Sequence, residues 1–124
     1  MAKIIVIDDD RRFLRAIRRT LEASGHTVIA YEDARSAIAH IAREVPDLLI
    51  TDIFMPEMEG LETIRRARTV SSTLPIIAIS GGSIIGADYL QMARLFGASA
   101  TLAKPFRPAE LIGLIARLLP QQID

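Results

Sequence analysis

The sequence predicts an α/β fold, a doubly wound five-stranded parallel sheet in the order 2-1-3-4-5 with five helices on both faces (flavodoxin-like). Three observations predict it. Five aliphatic stretches alternate strictly with amphipathic helical patterns along 124 residues. IIVI, LLI and IIAI are continuous apolar runs, as strands covered on both faces should be, whereas TVIAY and SATLA are mixed, as edge strands are. Right-handed crossovers between parallel strands, with the two mixed strands placed outside, give that order.

Each element follows from its residues. The strands read as 3–8 (KIIVID), 27–31 (TVIAY), 47–52 (DLLITD), 75–80 (PIIAIS) and 99–103 (SATLA). Helices are predicted near 10–24, 33–44, 60–70, 86–97 and 107–119. Ser24-Gly25 ends the first helix and Gly97 the fourth, while Pro46 and Pro75 stand where helices have already stopped. Pro108 sits in the first turn of the fifth, where its missing N–H costs little.

The helical faces differ in kind. At about 100° per residue, Phe13, Leu14, Ile17 and Leu21 share one side of the first helix, and Arg11, Arg12, Arg15, Arg18 and Arg19 share the other. On the fifth, Leu111, Ile112, Leu114, Ile115, Leu118 and Leu119 span an arc of about 160°, wider than the usual core stripe of about 100°. The fourth is also broadly apolar, with Tyr89, Leu90, Met92, Leu95 and Phe96. Such breadth suits either ordinary core or a partner surface.

Composition narrows the functional classes. Fifteen basic and fifteen acidic residues cancel, so no global field draws the chain to nucleic acid or membrane. With no cysteine, disulfides, thiolate metal sites and a thiol nucleophile are excluded. No signal-like stretch follows Met1 and no apolar run approaches a membrane span, which makes a cytoplasmic protein the expectation. One domain over 3–119 is expected, followed by a short tail, 120–124.

The first strand ends in Asp8-Asp9-Asp10, carboxylates that repel one another unless a cation or hydrogen bonds offset the cost. One simple account has an acid capping the next helix and the others solvated. The other strand ends argue for more. The third ends at Asp52 in "TDIFMPEMEG", the fourth at Ser80 before Gly81-Gly82, and the fifth at Lys104-Pro105. In a sheet of this order, ligands bind beyond the carboxyl ends of the strands, between the first and third. Asp8, Asp9 and Asp52 against Lys104 leave two negative charges there, which one divalent cation neutralises, and hard oxygen ligands suit Mg2+ better than zinc. A carboxylate facing a metal and a lysine is also what an acyl-phosphate needs. Asp52 would be the nucleophile toward a phosphoryl donor, with magnesium, Lys104 and the Ser80 hydroxyl on the phosphoryl oxygens.

The pattern Asp-Asp, then D-x-x-M-P-x-M-x-G, then Ser with a small residue, then Lys-Pro resembles the receiver domain of bacterial two-component response regulators (CheY-like superfamily). The resemblance runs from Lys3 to about Leu119. It implies that Asp52 is the phosphoacceptor, that Asp8 and Asp9 organise Mg2+ (Asp9 more directly), and that the Phe54 backbone carbonyl completes the metal site. It further implies Ser80 as the switch hydroxyl and Lys104 as the phosphate-binding amine. The phosphoryl donor would be a phosphohistidine on a sensor histidine kinase or a histidine phosphotransfer protein. The basic first helix would meet that kinase, and the fourth helix, fifth strand and fifth helix would form the surface for a downstream protein target or a dimer. No direct contact with nucleic acid or membrane is expected, and Pro120–Asp124 is too short for a DNA-binding segment.

Departures from the pattern carry expectations of their own. Thr101 stands three residues before Lys104, where family members usually carry an aromatic that swings inward on activation. Phe54 and Gly82 cannot orient an attacking water, so the acyl-phosphate should hydrolyse slowly. Other readings of the chain are weaker. A small phosphohydrolase with an aspartate nucleophile would want a second aspartate at position 54, and nucleotide-binding glycine motifs are missing. A receiver-like scaffold that is never phosphorylated would not need the intact acid set. His26 and His40 read as a turn and a helix residue without a relay role, Gly60 as the start of a helix, and Met55, Pro56 and Met58 as loop packing.

Overall fold

The computed structural model describes residues 2–53, 60–81 and 91–119. Five parallel strands, β1 (Lys3–Ile7), β2 (Thr27–Tyr31), β3 (Leu48–Asp52), β4 (Ile76–Gly81) and β5 (Ala100–Lys104), form one sheet in the order β2-β1-β3-β4-β5. The helices are α1 (Arg11–Ala23), α2 (Ala34–Arg43), α3 (Gly60–Val70), α4 (residues 91–96) and α5 (Pro108–Leu118). Order and alternation are as predicted, and the described element ends differ from the expected ones by a residue or so, as fraying ends do, while the expected start of the fourth helix at 86 lies outside the described residues.

The continuous apolar runs are explained by the period-two geometry of a strand. Ile5, Ile7, Leu49, Ile76 and Ala78 pack on one side of the sheet against Ala37 and Ile41 of α2, Ile64 and Ala67 of α3 and Ala93 of α4. Their neighbours Ile4, Val6, Leu48, Ile50, Ile77 and Ile79 pack on the other, against Leu14, Ile17 and Leu21 of α1 and Leu111 and Ile115 of α5. Both faces of the central strands are therefore core, so no polar alternation is seen there. The outer strands β2 and β5 are only partly covered.

The arginine face of α1 is exposed throughout, with Arg11 paired to Glu32 and Arg18 to Glu22. The apolar breadth of the other two helices resolves differently. Leu111 and Ile115 are core, whereas Met92, Leu95, Phe96 and Ile112 are exposed, Leu95 at 86%. Tyr89 and Leu90 lie outside the described residues. Gly25 and Gly97 follow their helices with φ of 92° and 120°, a left-handed conformation that favours glycine at a helix end. His26 accepts the Ala2 N–H at 3.3 Å, and His40 on α2 is hydrogen-bonded to the Tyr31 hydroxyl at 2.7 Å, so both have structural partners. Among the described residues, no helix is long and apolar enough to cross a membrane.

Candidate functional site at the carboxyl ends of the strands

Strand register assembles the rim. Ile7 pairs with Thr51, so the next step along both chains sets Asp8 beside Asp52. On the far side Gly81 pairs with Lys104, one step beyond the Ser80–Ala103 pair. The amine of Lys104 reaches back over the sheet: its Nζ donates to Asp8 Oδ2 at 2.8 Å and lies 3.9 Å from Asp52 Oδ2. The first contact is a hydrogen-bonded ion pair and the second is Coulombic only.

The three consecutive acids do three different jobs. Asp10 caps α1, its Oδ1 accepting the N–H groups of Arg12 at 2.9 Å and Phe13 at 3.3 Å. Its own N–H donates to Asp8 Oδ1 at 2.9 Å. Asp8 is buried at 1% exposure, and Asp9 is exposed. Burial pushes the Asp8 carboxyl above its ordinary value, and the charge of Asp9 adds to the rise. The hydrogen bond from Lys104, the Asp10 N–H and the Lys104 charge pull it back in part. Simple capping with solvated neighbours therefore accounts for Asp10 but not for Asp8.

One carboxylate oxygen from each of Asp8, Asp9 and Asp52 lies within 4.8 Å of the other two, with Asp52 itself buried. Three converging hard oxygen donors, free of nitrogen or sulfur, match the chemistry of Mg2+. Ser80 is fully buried at the end of β4, and its hydroxyl donates to the Gly81 carbonyl at 3.1 Å. Thr101 sits half-buried on β5 opposite Ala78. Phe54, Gly82 and the Met55–Met58 stretch lie outside the described residues.

Two supporting residues escaped sequence reasoning. Phe13 counted only as part of the apolar face of α1, yet Lys104 Nζ lies 4.0 Å from its ring centroid. Gly60 does start α3, as expected, but its lack of a side chain has a further cause. A Cβ there would lie 2.2 Å from Ile53 Cα and 2.5 Å from the Asp52 carbonyl oxygen. Helix α3 thus packs its first residue directly on the backbone that carries Asp52, and the Gly60 N–H donates to Ile53 O at 3.1 Å. The Lys104–Pro105 peptide bond is cis.

The fold is thus a doubly wound α/β module with a carboxylate cluster and an amine at its topological switch point. Residues 4–116 match the response regulator receiver domain, and the chain belongs to that family, a signalling module of two-component systems. It is 33% identical over 117 residues to the response regulator MprA of Mycolicibacterium vanbaalenii, covering 94% of this chain and 50% of that protein. The MprA of Mycobacterium ulcerans is 34% identical with the same coverage. The chain thus spans about half the length of these curated relatives. Among solved structures, chemotaxis response regulator CheY4 of Vibrio cholerae superposes with a TM-score of 0.86 at 29% identity, covering 96% of this chain and 99% of that one. NtrX from Brucella abortus gives a TM-score of 0.88 at 30% identity, covering 95% of this chain and 26% of that one.

Proposed function

We propose that this receiver domain, residues 3–119, takes a phosphoryl group from phosphohistidine onto Asp52 and thereby alters a protein-binding surface. The observation that carries the proposal is the convergence of Asp8, Asp9 and Asp52 with the Lys104 ammonium, which lies within 4 Å of both buried acids. In the transfer, an Asp52 carboxylate oxygen bonds to phosphorus as the P–N bond to the donor imidazole breaks, and the imidazole leaves with the bonding pair. Lys104 stands where it can bind an oxygen of the arriving group. Asp8, Asp9 and Asp52, with the Phe54 carbonyl, would hold Mg2+, which supplies charge neutralisation for the phosphoryl oxygens. In this reading the domain is a phosphoacceptor signalling module that promotes its own phosphotransfer and dephosphorylation.

For the phosphoryl group to gain the Ser80 hydroxyl, that hydroxyl must turn away from the Gly81 carbonyl, which couples the site to the β4 end. The output surface is the α4, β5 and α5 face, where Met92, Leu95, Phe96 and Ile112 are exposed. It suits a downstream protein or a second copy. The basic face of α1 beside the rim suits a sensor histidine kinase or histidine phosphotransfer protein, and the whole acts in the cytoplasm.

Intact mass after incubation with acetyl phosphate tests the reading. A magnesium-dependent gain of one phosphoryl group, absent in Asp52→Asn, is expected. Absence of any gain with either acetyl phosphate or a phosphohistidine donor would favour a scaffold that is never phosphorylated.

A further inference from the structure

We infer that Phe13 is a positioning residue for Lys104, its ring face holding the ammonium in place for a phosphoryl group on Asp52. The inference rests on the proposed role of Lys104 as the phosphoryl-binding amine. Lys104 Nζ is 4.0 Å from the Phe13 ring centroid, well inside the ~6 Å reach of a cation–π contact. The lysine side chain is only 26% exposed, and such contacts strengthen when the cation is desolvated. Phe106 meets Phe13 edge to face, with centroids 6.0 Å apart and planes at 84°, which fixes the ring.

The sequence links these contacts economically. Phe13 lies three residues beyond Asp10, the cap whose N–H holds Asp8. The first turn of α1 therefore braces both halves of the Asp8–Lys104 pair. Phe106 lies two residues beyond Lys104, so the end of β5 and the residues just after it carry both the cation and the edge that clamps its ring partner. A neutral ring suits this position better than a further carboxylate. Phosphorylation turns the singly charged Asp52 carboxylate into an acyl-phosphate of about two negative charges, and another anion beside Lys104 would repel it. The quadrupole of the ring attracts the ammonium without opposing the phosphoryl oxygens. Lys104 can then exchange its Asp8 hydrogen bond for a phosphoryl oxygen without losing its place.

The test is a double-mutant cycle on the full chain, reading the initial rate of Asp52 phosphorylation by acetyl phosphate at saturating magnesium. Phe13→Leu should slow it about fivefold, and Phe13→Tyr, which keeps a ring face, should restore most of that loss. In a Lys104→Ala background, Phe13→Leu should cost nothing further. Phe13→Met replaces Phe13→Leu if thermal melting shows the latter unfolded. A Lys104 Cε proton signal shifted upfield by the ring, and relaxed in Phe13→Leu, should accompany the rate effect. An unchanged rate in Phe13→Leu, equal losses in the leucine and tyrosine variants, or an undiminished effect without Lys104 would overturn the inference. A Lys104→Ala protein that is phosphorylated as fast as wild type would instead overturn the functional reading, and the inference with it.

Discussion

The Lys104 ammonium lies 2.8 Å from Asp8 but 3.9 Å from Asp52, so its hydrogen bond goes to Asp8 and not to Asp52, the proposed phosphoacceptor. The amine is thereby held at the rim while it remains outside hydrogen-bonding distance of Asp52. The pair also neutralises a carboxylate that is almost fully buried. Removing one partner of a buried pair leaves the other uncompensated, which is costlier than the pair itself is stabilising. Lys104→Ala should therefore destabilise the metal-free domain by about 1–2 kcal/mol, less than for a fully buried pair because the lysine is partly solvated. Urea unfolding checks this, and added magnesium should recover part of the loss.

The same buried carboxylate predicts a pH dependence. Burial raises the Asp8 pKa above 3.8, so the folded state binds this proton more tightly than the unfolded chain does. Its contribution is present in full below the unfolded value and is lost as pH rises through the raised native value. Metal-free wild type should accordingly lose stability relative to Asp8→Asn across that window, from about 4 upward. Exposed acids whose pKa values are lowered, such as Asp33 and Glu44, act in the opposite sense and are common to both proteins. Melting both proteins between pH 4 and 7 (about the range of carboxylate titration) tests it, and parallel curves would refute the assignment. Magnesium should narrow the gap more at the upper end, where the acid cluster is ionised.

Much of this architecture was legible because period-two packing makes central strands apolar on both faces. Ile4 to Ile7 is such a strand, and the mixed TVIAY and SATLA did prove to be edges. The rim was legible because strand ends carry the chemistry: Asp8, Asp52 and Lys104 meet as their positions implied. What stayed hidden depends on long-range contact. Nothing local distinguishes Phe13, under Lys104, from Leu14, in the core. The division of labour among three adjacent aspartates likewise needed the actual course of the chain into α1.

Gly60 yields a sharper prediction than an ordinary helix glycine. Elsewhere in a helix, alanine is favoured over glycine by about 1 kcal/mol. Here its Cβ would lie 2.2 Å from Ile53 Cα, a backbone atom that cannot swing aside. Gly60→Ala should therefore destabilise by about 2 kcal/mol or more, and should slow phosphorylation by displacing the strand end that carries Asp52. Gly113→Ala on α5, with open space at its Cβ, is the control and should stabilise slightly or do nothing.

A polar side chain that orients water for attack should shorten the lifetime of an acyl-phosphate. Phe54 offers no hydrogen bond for that purpose. Phe54→Asn should shorten the half-life of phosphorylated Asp52 several-fold, on the order of 1 kcal/mol in the barrier. Following loss of the phosphoryl mass after the donor is removed measures it. An unchanged lifetime would show that water access, and not its orientation, limits hydrolysis.

Arg68 ties the opposite end of the sheet, and its loss should separate stability from phosphotransfer. Its Nε donates to Gly97 O at 2.9 Å, Nη1 to Ser71 O at 3.2 Å and to Leu74 O, and Nη2 to Ser99 Oγ at 3.3 Å. Ser99 Oγ in turn accepts the Ile76 N–H at 3.0 Å. One planar guanidinium thus joins the end of α3, the entry to β4 and the turn between α4 and β5. Burial lowers its pKa, as desolvation of a cation must. Several carbonyls would lose a donor together in Arg68→Ala, for a cost of about 2–3 kcal/mol. Lysine has one nitrogen in place of a fork, so Arg68→Lys should recover less than half. Because these contacts lie at the amino ends of β4 and β5, the phosphorylation rate of the folded fraction should stay within twofold of wild type (about 0.4 kcal/mol). Denaturant unfolding alongside phosphorylation kinetics decides it: a rate that falls in step with stability would mean that this end of the sheet communicates with the rim.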